Sequence, residues 1–253
     1  MALDIHNRTE QLVGAGGVAA LARASVTVFG LGGVGSYAAE ALARAGVGSL
    51  RLVDFDVVHA TNINRQLFAL HSTVGRPKVE VALQRVLDIN PSCTVRADPV
   101  FVDEAALEYL LDPAPDAVID AIDGLASKVR LIRTAARRGH FIVSSMGAAG
   151  RFDCGAVTVG DLSETRNCPL ARMLRKKLHK DGIYSGIRCV YSIEPADTGE
   201  PVDSDEMETA SGKGRPRTPL GSISYLPALF GIRAAGEVIG HLLDIGKSGP
   251  AGR

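Results

Sequence analysis

Gly30-Leu31-Gly32-Gly33-Val34-Gly35 lies between a β-branched run, Ser25-Val26-Thr27-Val28-Phe29, and an alanine-rich stretch over 36–45 that stops at Gly46. This order constrains the fold more than any other feature of the chain. The run reads as a buried strand, and the stretch as a helix ending at a glycine cap. The glycines between them have separate tasks: a tight turn, approach of a phosphate to bare backbone, and close packing of helix on strand. A phosphate would sit on the helix N-terminus, where unpaired N–H groups and the positive end of the dipole converge. A nucleotide is therefore implied, and the motif leaves NAD, FAD and ATP open.

The following segments alternate. Strands are expected over 49–54, 94–97 (a weak edge strand), 116–120 and 141–144, and helices over 75–89, 103–111 and 128–138. Asp103 supplies a helix start signal. Such alternation predicts an α/β, Rossmann-like, doubly wound and mostly parallel sheet. From Ala156 the order loosens into a mixed C-terminal extension: short strands over 156–159 and 189–192 around a basic helix over 169–180. Residues 194–219, rich in Pro, Asp, Glu, Ser, Thr and Gly and without hydrophobic periodicity, are expected to form a mobile loop. A helix over about 226–243 closes the chain. No internal repeat is evident, and 253 residues suit a single domain with an elaborated C-terminus.

Composition excludes some classes of function. Lys+Arg and Asp+Glu both number 28, so no global field attracts nucleic acid, and an RNA contact needs a local patch. Arg172, Arg175, Lys176, Lys177 and Lys180 could supply one on a single helix, joined by Lys213, Arg215 and Arg217 in the loop. The first eight residues lack the pattern of a signal peptide, and no apolar run approaches the ~20 residues of a membrane span. Cys93, Cys154, Cys168 and Cys189 show no CxxC spacing, so neither a zinc site nor a disulfide framework is indicated. Cys168 has no visible activating partner, which favours a buried or helix-capping thiol over a nucleophile. The six histidines have no ligand or triad spacing. The expectation is a cytoplasmic enzyme with reduced thiols and no membrane association.

What separates the nucleotides lies downstream. Asp54 ends the second strand, where a carboxylate can bind ribose hydroxyls of a dinucleotide or of ATP alike. Asp54-Phe55-Asp56, Thr61-Asn62-Ile63-Asn64-Arg65-Gln66 and Gly75-Arg76-Pro77-Lys78 then bring Asn, Arg and Lys to one loop and helix start. Hydride transfer needs few cations there. Nucleotidyl transfer needs several, because charge develops on the α-phosphate and on departing pyrophosphate. Asp123 follows the 116–120 strand at the carboxyl edge, where an ionised carboxylate suits a Mg²⁺ that keeps water and phosphate as its other ligands. Its competing role is N-cap of the next helix.

Arg8-Thr9-Glu10, the glycine motif, Asp54-x-Asp56, Asn62-x-x-Arg65-Gln66, Lys78 and Asp123 together resemble the ubiquitin-activating-enzyme-like adenylyltransferases, the superfamily of ThiF, MoeB and HesA. That likeness covers roughly residues 5–150. A narrower one, to the tRNA threonylcarbamoyladenosine dehydratase family, extends through Asn167-Cys168-Pro169-Leu170-Ala171-Arg172, Val190-Tyr191-Ser192 and Gly221-Ser222-Ile223-Ser224. ThiF and MoeB carry paired CxxC zinc ligands and a sulfur-handling cysteine; here the first are missing and 194–219 contains no cysteine.

The resemblance implies one ThiF-type adenylating domain over 1–253, working with ATP and Mg²⁺. In it Gly30, Gly32, Gly33 and Gly35 form the cofactor loop, with Gly32 and Gly35 facing phosphates. Asp54 takes the ribose; Asn62, Arg65 and Lys78 hold the triphosphate; Asp56 and Gln66 contact the cofactor or else shape the loop; Asp123 binds the metal. Arg65, Lys78, Asp123 and Arg8 would carry the catalysis, Arg8 reaching into the partner protomer of a homodimer. The implied partner is tRNA bearing threonylcarbamoyladenosine, and a cysteine desulfurase or other sulfur-transfer protein is a candidate associate. The implied chemistry is adenylation of the nucleoside carboxylate, followed by ring closure that expels AMP. Three other readings stay open: adenylation of the C-terminal glycine of a ubiquitin-like sulfur carrier, NAD-dependent oxidoreduction, and a non-catalytic nucleotide-binding scaffold.

Overall fold

A computed structural model describes residues 5–197 and 220–247. Of the loop expected over 194–219, residues 194–197 are described; the rest, with Lys213, Arg215 and Arg217, lies outside the described residues. Seven strands form one sheet: β1 Ser25–Phe29, β2 Ser49–Val53, β3 Thr94–Asp98, β4 Ala117–Asp120, β5 Ile142–Ser145, β6 Val157–Asp161 and β7 Arg188–Ser192. Their spatial order is β3-β2-β1-β4-β5-β7-β6. Every neighbouring pair is parallel except the antiparallel β6 and β7. The doubly wound sheet with a mixed extension is thus the observed fold.

Side-chain alternation loads both faces. In β4, Ala117 and Ile119 enter one apolar core and Val118 the other. The first core is covered by α2 Gly35–Ala45, α3 Lys78–Ile89 and α7 Tyr225–Lys247. The second is covered by α4 Glu104–Leu110, α5 Leu125–Arg137 and α6 Pro169–Leu178. Local signals set the ends. Gly46 takes φ 90 and closes α2 through N–H bonds to Leu42 and Ala43 carbonyls. Asp103 caps α4 by accepting from the Ala106 N–H at 2.9 Å. Expected from residue 75, α3 begins at Lys78, because Gly75 has φ 85 and Pro77 is extended, with ψ 130.

Two elements depart from the sequence reading. An N-terminal helix, α1 Asn7–Arg23, packs on α7 and was not signalled. Its glycines at 14, 16 and 17 blur the apolar period, and Gly14 kinks it with φ 74 and ψ 167. The second is α7, the closing helix expected over about 226–243 and found over Tyr225–Lys247, which departs only in that its Tyr225–Leu243 window is long and apolar enough to cross a membrane, with mean hydropathy 1.3. Half of that window is buried, however, with Leu226, Phe230, Ala234, Ala235, Val238 and Leu242 in the first core. It is a core helix. Its approach to α2 is so close that a Cβ on Gly231 would lie 2.2 Å from the Val34 carbonyl oxygen.

Phe230 is fully buried at this packing. Phe230→Ala is expected to lower unfolding free energy by about 3–5 kcal/mol, read from a shift of the urea midpoint at unchanged m-value.

Candidate active site

The sheet reverses its winding between β1 and β4, and the crevice above their carboxyl ends is where open α/β sheets bind ligands. The glycine loop forms its floor. Gly30 leaves β1 with φ 86, and a Cβ there would lie 2.7 Å from the Ala121 carbonyl oxygen beyond β4. A Cβ on Gly35 would come within 1.7 Å of the Gly30 carbonyl oxygen, so that glycine is required by the turn itself. Gly33 is pressed on α7, where its Cβ would meet Pro227 at 2.9 Å. Gly32 differs: its nearest atom is Gln66 Nε2 at 3.7 Å, which leaves room for a ligand.

Asp54 follows β2 and is 8% exposed. Its Oδ2 accepts from the Leu31 N–H at 2.6 Å and its Oδ1 from the Asp56 N–H at 2.9 Å. Burial pushes the carboxyl pKa above its usual 3.8, against the opposing pull of the Lys78 charge and the two N–H bonds. A raised pKa means that the folded chain holds this proton more tightly than the unfolded chain does. Deprotonation therefore erodes stability as pH rises from 3.8 toward the raised value. Both oxygens keep a lone pair for a hydroxyl donor.

Lys78, first residue of α3, is 5% exposed and rests 3.1 Å from Asp56 Oδ2. The 3-10 turn Ala60–Asn62 buries Asn62, whose Oδ1 accepts from the His59 N–H at 3.1 Å. Its carbonyl receives the Arg65 and Gln66 N–H groups at 3.1 and 2.9 Å, and Arg65 Cγ and Gln66 Nε2 lie beside Gly33 and Gly32. Arg65 is braced by donation to the Thr61 carbonyl at 3.0 Å and to Asn64 Oδ1 at 2.9 Å. Asp123 is exposed in the turn after β4. The N-cap of α5 is Gly124, the residue after Asp123. Gly32, Gly33, Asp54, Asp56, Asn62, Arg65, Gln66 and Lys78 thus gather around β1 and β2, with Asp123 at the neighbouring strand end. Arg8 lies exposed in the first turn of α1.

Sequence reasoning missed a sealed ion pair beneath this turn. Asp120 and Lys128 are both 0% exposed, with Nζ 2.8 Å from Oδ2. Lys128 also donates to the Ile122 carbonyl at 2.8 Å, Ser144 Oγ donates to Asp120 Oδ2 at 2.7 Å, and the Ile122 N–H donates to Oδ1 at 3.2 Å. These bonds fix residues 120–122, the backbone that faces Gly30 and leads to Asp123. The signal was a lone Asp at a strand end and a lone Lys placed at a helix start. Because α5 begins at Leu125 instead of residue 128, Lys128 falls in its first turn and points inward.

Other expectations are sharpened. Arg175 leaves the α6 stripe and donates inward to the Leu162 and Thr165 carbonyls at 3.2 and 3.0 Å and to Thr165 Oγ1. Arg172, Lys176, Lys177 and Lys180 remain exposed. Cys168 is buried at the N-cap of α6 and makes no side-chain cap bond. Burial pushes the Cys93 thiol up to about 11 and raises that of Cys189 as well, which keeps both protonated; Cys154 is exposed.

Lys128→Met leaves Asp120 charged in a dry site, and an expected loss of about 3–5 kcal/mol follows. Denaturation in urea measures it, and adding Asp120→Asn to the same chain is expected to recover part of the loss.

The model of the ThiF family matches residues 6–253. The chain is 40% identical over 246 residues to the tRNA threonylcarbamoyladenosine dehydratase of Bacillus subtilis (strain 168), covering 95% of each protein. Two solved structures of the Escherichia coli tRNA N6-threonylcarbamoyladenosine dehydratase, TcdA, are similar throughout. The complex with AMP has TM-score 0.86 and 34% identity, covering 96% of this chain and 95% of that one. The complex with ATP has TM-score 0.84 at the same identity and coverage. Matched by that model over nearly its whole length, this chain is a member of the ThiF family.

Proposed function

We propose that this protein dehydrates threonylcarbamoyladenosine in tRNA to its cyclic form, using ATP to adenylate the carboxylate. The observation that carries the reading is the convergence of an open Gly32 backbone, buried Asp54, Arg65 and Lys78 on one switch point, with Asp123 beside it. End-to-end similarity to proteins of that activity supports it.

In this mechanism Asp54 accepts the ribose hydroxyls of ATP, and the N-terminus of α2 with the Gly32 N–H receives phosphate oxygens. Lys78, held by Asp56 in the free protein, exchanges that carboxylate for phosphate, and Arg65 and Asn62 complete the grip. The substrate carboxylate oxygen attacks the α-phosphorus and pyrophosphate leaves, its growing charge met by Arg65 and Lys78. The carbamoyl group of the same side chain then attacks the acyl carbon. The acyl–oxygen bond breaks, AMP departs with that oxygen, and the carbamoyl proton is released. Both groups belong to one nucleoside, so closure proceeds at the effective concentration of an intramolecular reaction.

Asp123 fits Mg²⁺, because an ion that keeps water and phosphate ligands needs only one or two protein carboxylates. That ion would supply charge neutralisation at the phosphates. No cluster of three His, Cys, Asp or Glu occurs among the described residues, which agrees with such sparse ligation. We further propose a cytoplasmic homodimer of single-domain chains, with Arg8 completing the partner's site. A sulfur-transfer protein, if bound, acts as an associate and not as a donor, because no step consumes sulfur. Adenylation of a sulfur carrier is the second reading, and the absence of CxxC pairs and of cysteine in 194–219 weighs against it.

Asp123→Asn and Arg65→Ala are expected to lower kcat for tRNA cyclisation about 10²–10³-fold, the range for losing one electrostatic stabiliser of the transition state. Mass spectrometry of tRNA nucleosides and AMP release measure this. Pyrophosphate exchange stimulated by a sulfur carrier protein and not by modified tRNA would refute the reading. Asp54→Asn is expected to weaken ATP binding about 10–100-fold, as loss of a charged hydrogen-bond acceptor does, measured by calorimetric titration.

A further inference from the structure

An isolated apolar side chain on a surface is ordinary. Phe152 is not ordinary, because its main chain is bonded on both sides while the residue remains 64% exposed. Its N–H is accepted by both carboxylate oxygens of Glu194, each at 3.1 Å, and the next N–H, of Asp153, by Glu194 Oε2 at 2.9 Å. Its carbonyl accepts from Tyr225 Oη at 2.8 Å.

The preceding residue, Arg151, is 3% exposed and spends its guanidinium on main-chain carbonyls. Nε donates to Glu194 at 3.0 Å, one terminal nitrogen to Gly147 and Ala149 at 2.6 and 3.1 Å, and the other to Asn167 at 2.8 Å. Three segments, from the ends of β5 and β7 and the start of α6, are locked together under one exposed ring. Asn167 sits in the left-handed region, with φ 52, as part of the same junction.

The ring is also well placed. Its loop follows β5, the strand beside β4, at the carboxyl edge that carries Asp123. Tyr225, which holds the Phe152 carbonyl, opens α7, and Pro227 in the same helical turn packs on Gly33 of the nucleotide loop. Asn64, beside Arg65, donates to the Ser222 carbonyl at 3.2 Å. Phe152 therefore stands on the rim where the nucleotide half meets the β5–β7 half.

We propose that Phe152 is a base-stacking residue that receives an unpaired nucleotide of the tRNA loop next to the reacting adenosine, with Arg151 and Glu194 as its positioning residues. This rests on the reading that the substrate is a tRNA nucleoside. A single-stranded loop offers splayed bases, and an exposed aromatic side chain on a pinned main chain can receive one with only two side-chain torsions left to order. Phosphate contacts elsewhere would supply the salt-dependent part of affinity, and stacking a part that salt leaves unchanged.

The test is steady-state cyclisation of tRNA bearing threonylcarbamoyladenosine by the full-length protein, its Phe152→Leu variant and its Phe152→Tyr variant. Leucine keeps an apolar side chain and removes the π-face; tyrosine keeps the ring. Phe152→Leu is expected to raise the KM for tRNA roughly 5- to 100-fold, the range that base–aromatic stacking spans. ATP affinity, the salt slope of log KM and the sedimentation coefficient should be unchanged, and Phe152→Tyr should stay within about twofold of the parent. The proposal is overturned if Phe152→Leu leaves KM unchanged, or if tyrosine is as damaging as leucine. Altered self-association in Phe152→Leu would mark the ring as a contact between copies of this chain and also overturn it. A parent protein that does not cyclise tRNA would instead remove the functional reading beneath it.

Discussion

The site depends on one close approach of backbone to backbone. Where β1 ends, Gly30 turns under the Ala121 carbonyl, and Gly35 returns against the Gly30 carbonyl. Side chains larger than hydrogen at either position would collide with main-chain oxygen, which cannot yield. This contact directs the N-terminus of α2 into the crevice and leaves Gly32 open. The opposite wall is held with equal rigidity by Asp120 and Lys128, which bond the 120–122 peptides from below. Nucleotide binding is thus prepared by rigid main chain on both sides of the switch point.

Two lysine–carboxylate pairs flank that crevice, and their burial assigns them different work. Asp120–Lys128 is fully enclosed, so its partners can neither hydrate nor exchange, and breaking it strands a charge. In Asp56–Lys78 the lysine side chain is 6% exposed but the carboxylate 23%, so the pair can open when a stronger anion arrives. Asp54 lies between these extremes. Its burial disfavours ionisation, and nearby Lys78 offsets that cost. Moving Lys78 toward phosphate removes part of this offset, which ribose hydroxyls bonded to Asp54 would replace.

Much of this was legible in the sequence, because the informative residues act locally. The glycine loop, the Asp103 cap, the Gly46 stop and the strand runs each depend on neighbours within a few positions. The placement of Asp54, Lys78 and Asp123 beside the ends of β2, α3 and β4 followed from those elements, and their roles remain proposals. What could not be read depends on long-range partners. Lys128 and Asp120 look like surface charge until α5 is docked, Arg175 looks like part of a basic stripe until Thr165 is placed beneath it, and Arg151 joins residues up to 43 positions away. The helix α1 stayed hidden for a local reason, since its glycines erase the apolar period and it is stabilised by packing on α7.

The sheet keeps one strand direction from β3 through β7 and changes it only at the edge strand β6. The parallel strands β3-β2-β1-β4-β5 present their carboxyl ends to the crevice where open α/β sheets bind ligands. Beyond them lie the loops after β5 and β7, where Arg151 bonds the main chain of three segments. Its buried guanidinium is neutralised by carbonyl dipoles and not by an ion pair among the described residues. Such a junction holds the main chain while leaving the outward side chains free to vary. If Phe152 receives a base as proposed, substituting it would alter the acceptor side without disturbing the glycine loop, as expected where function resides in sites carried by a common fold.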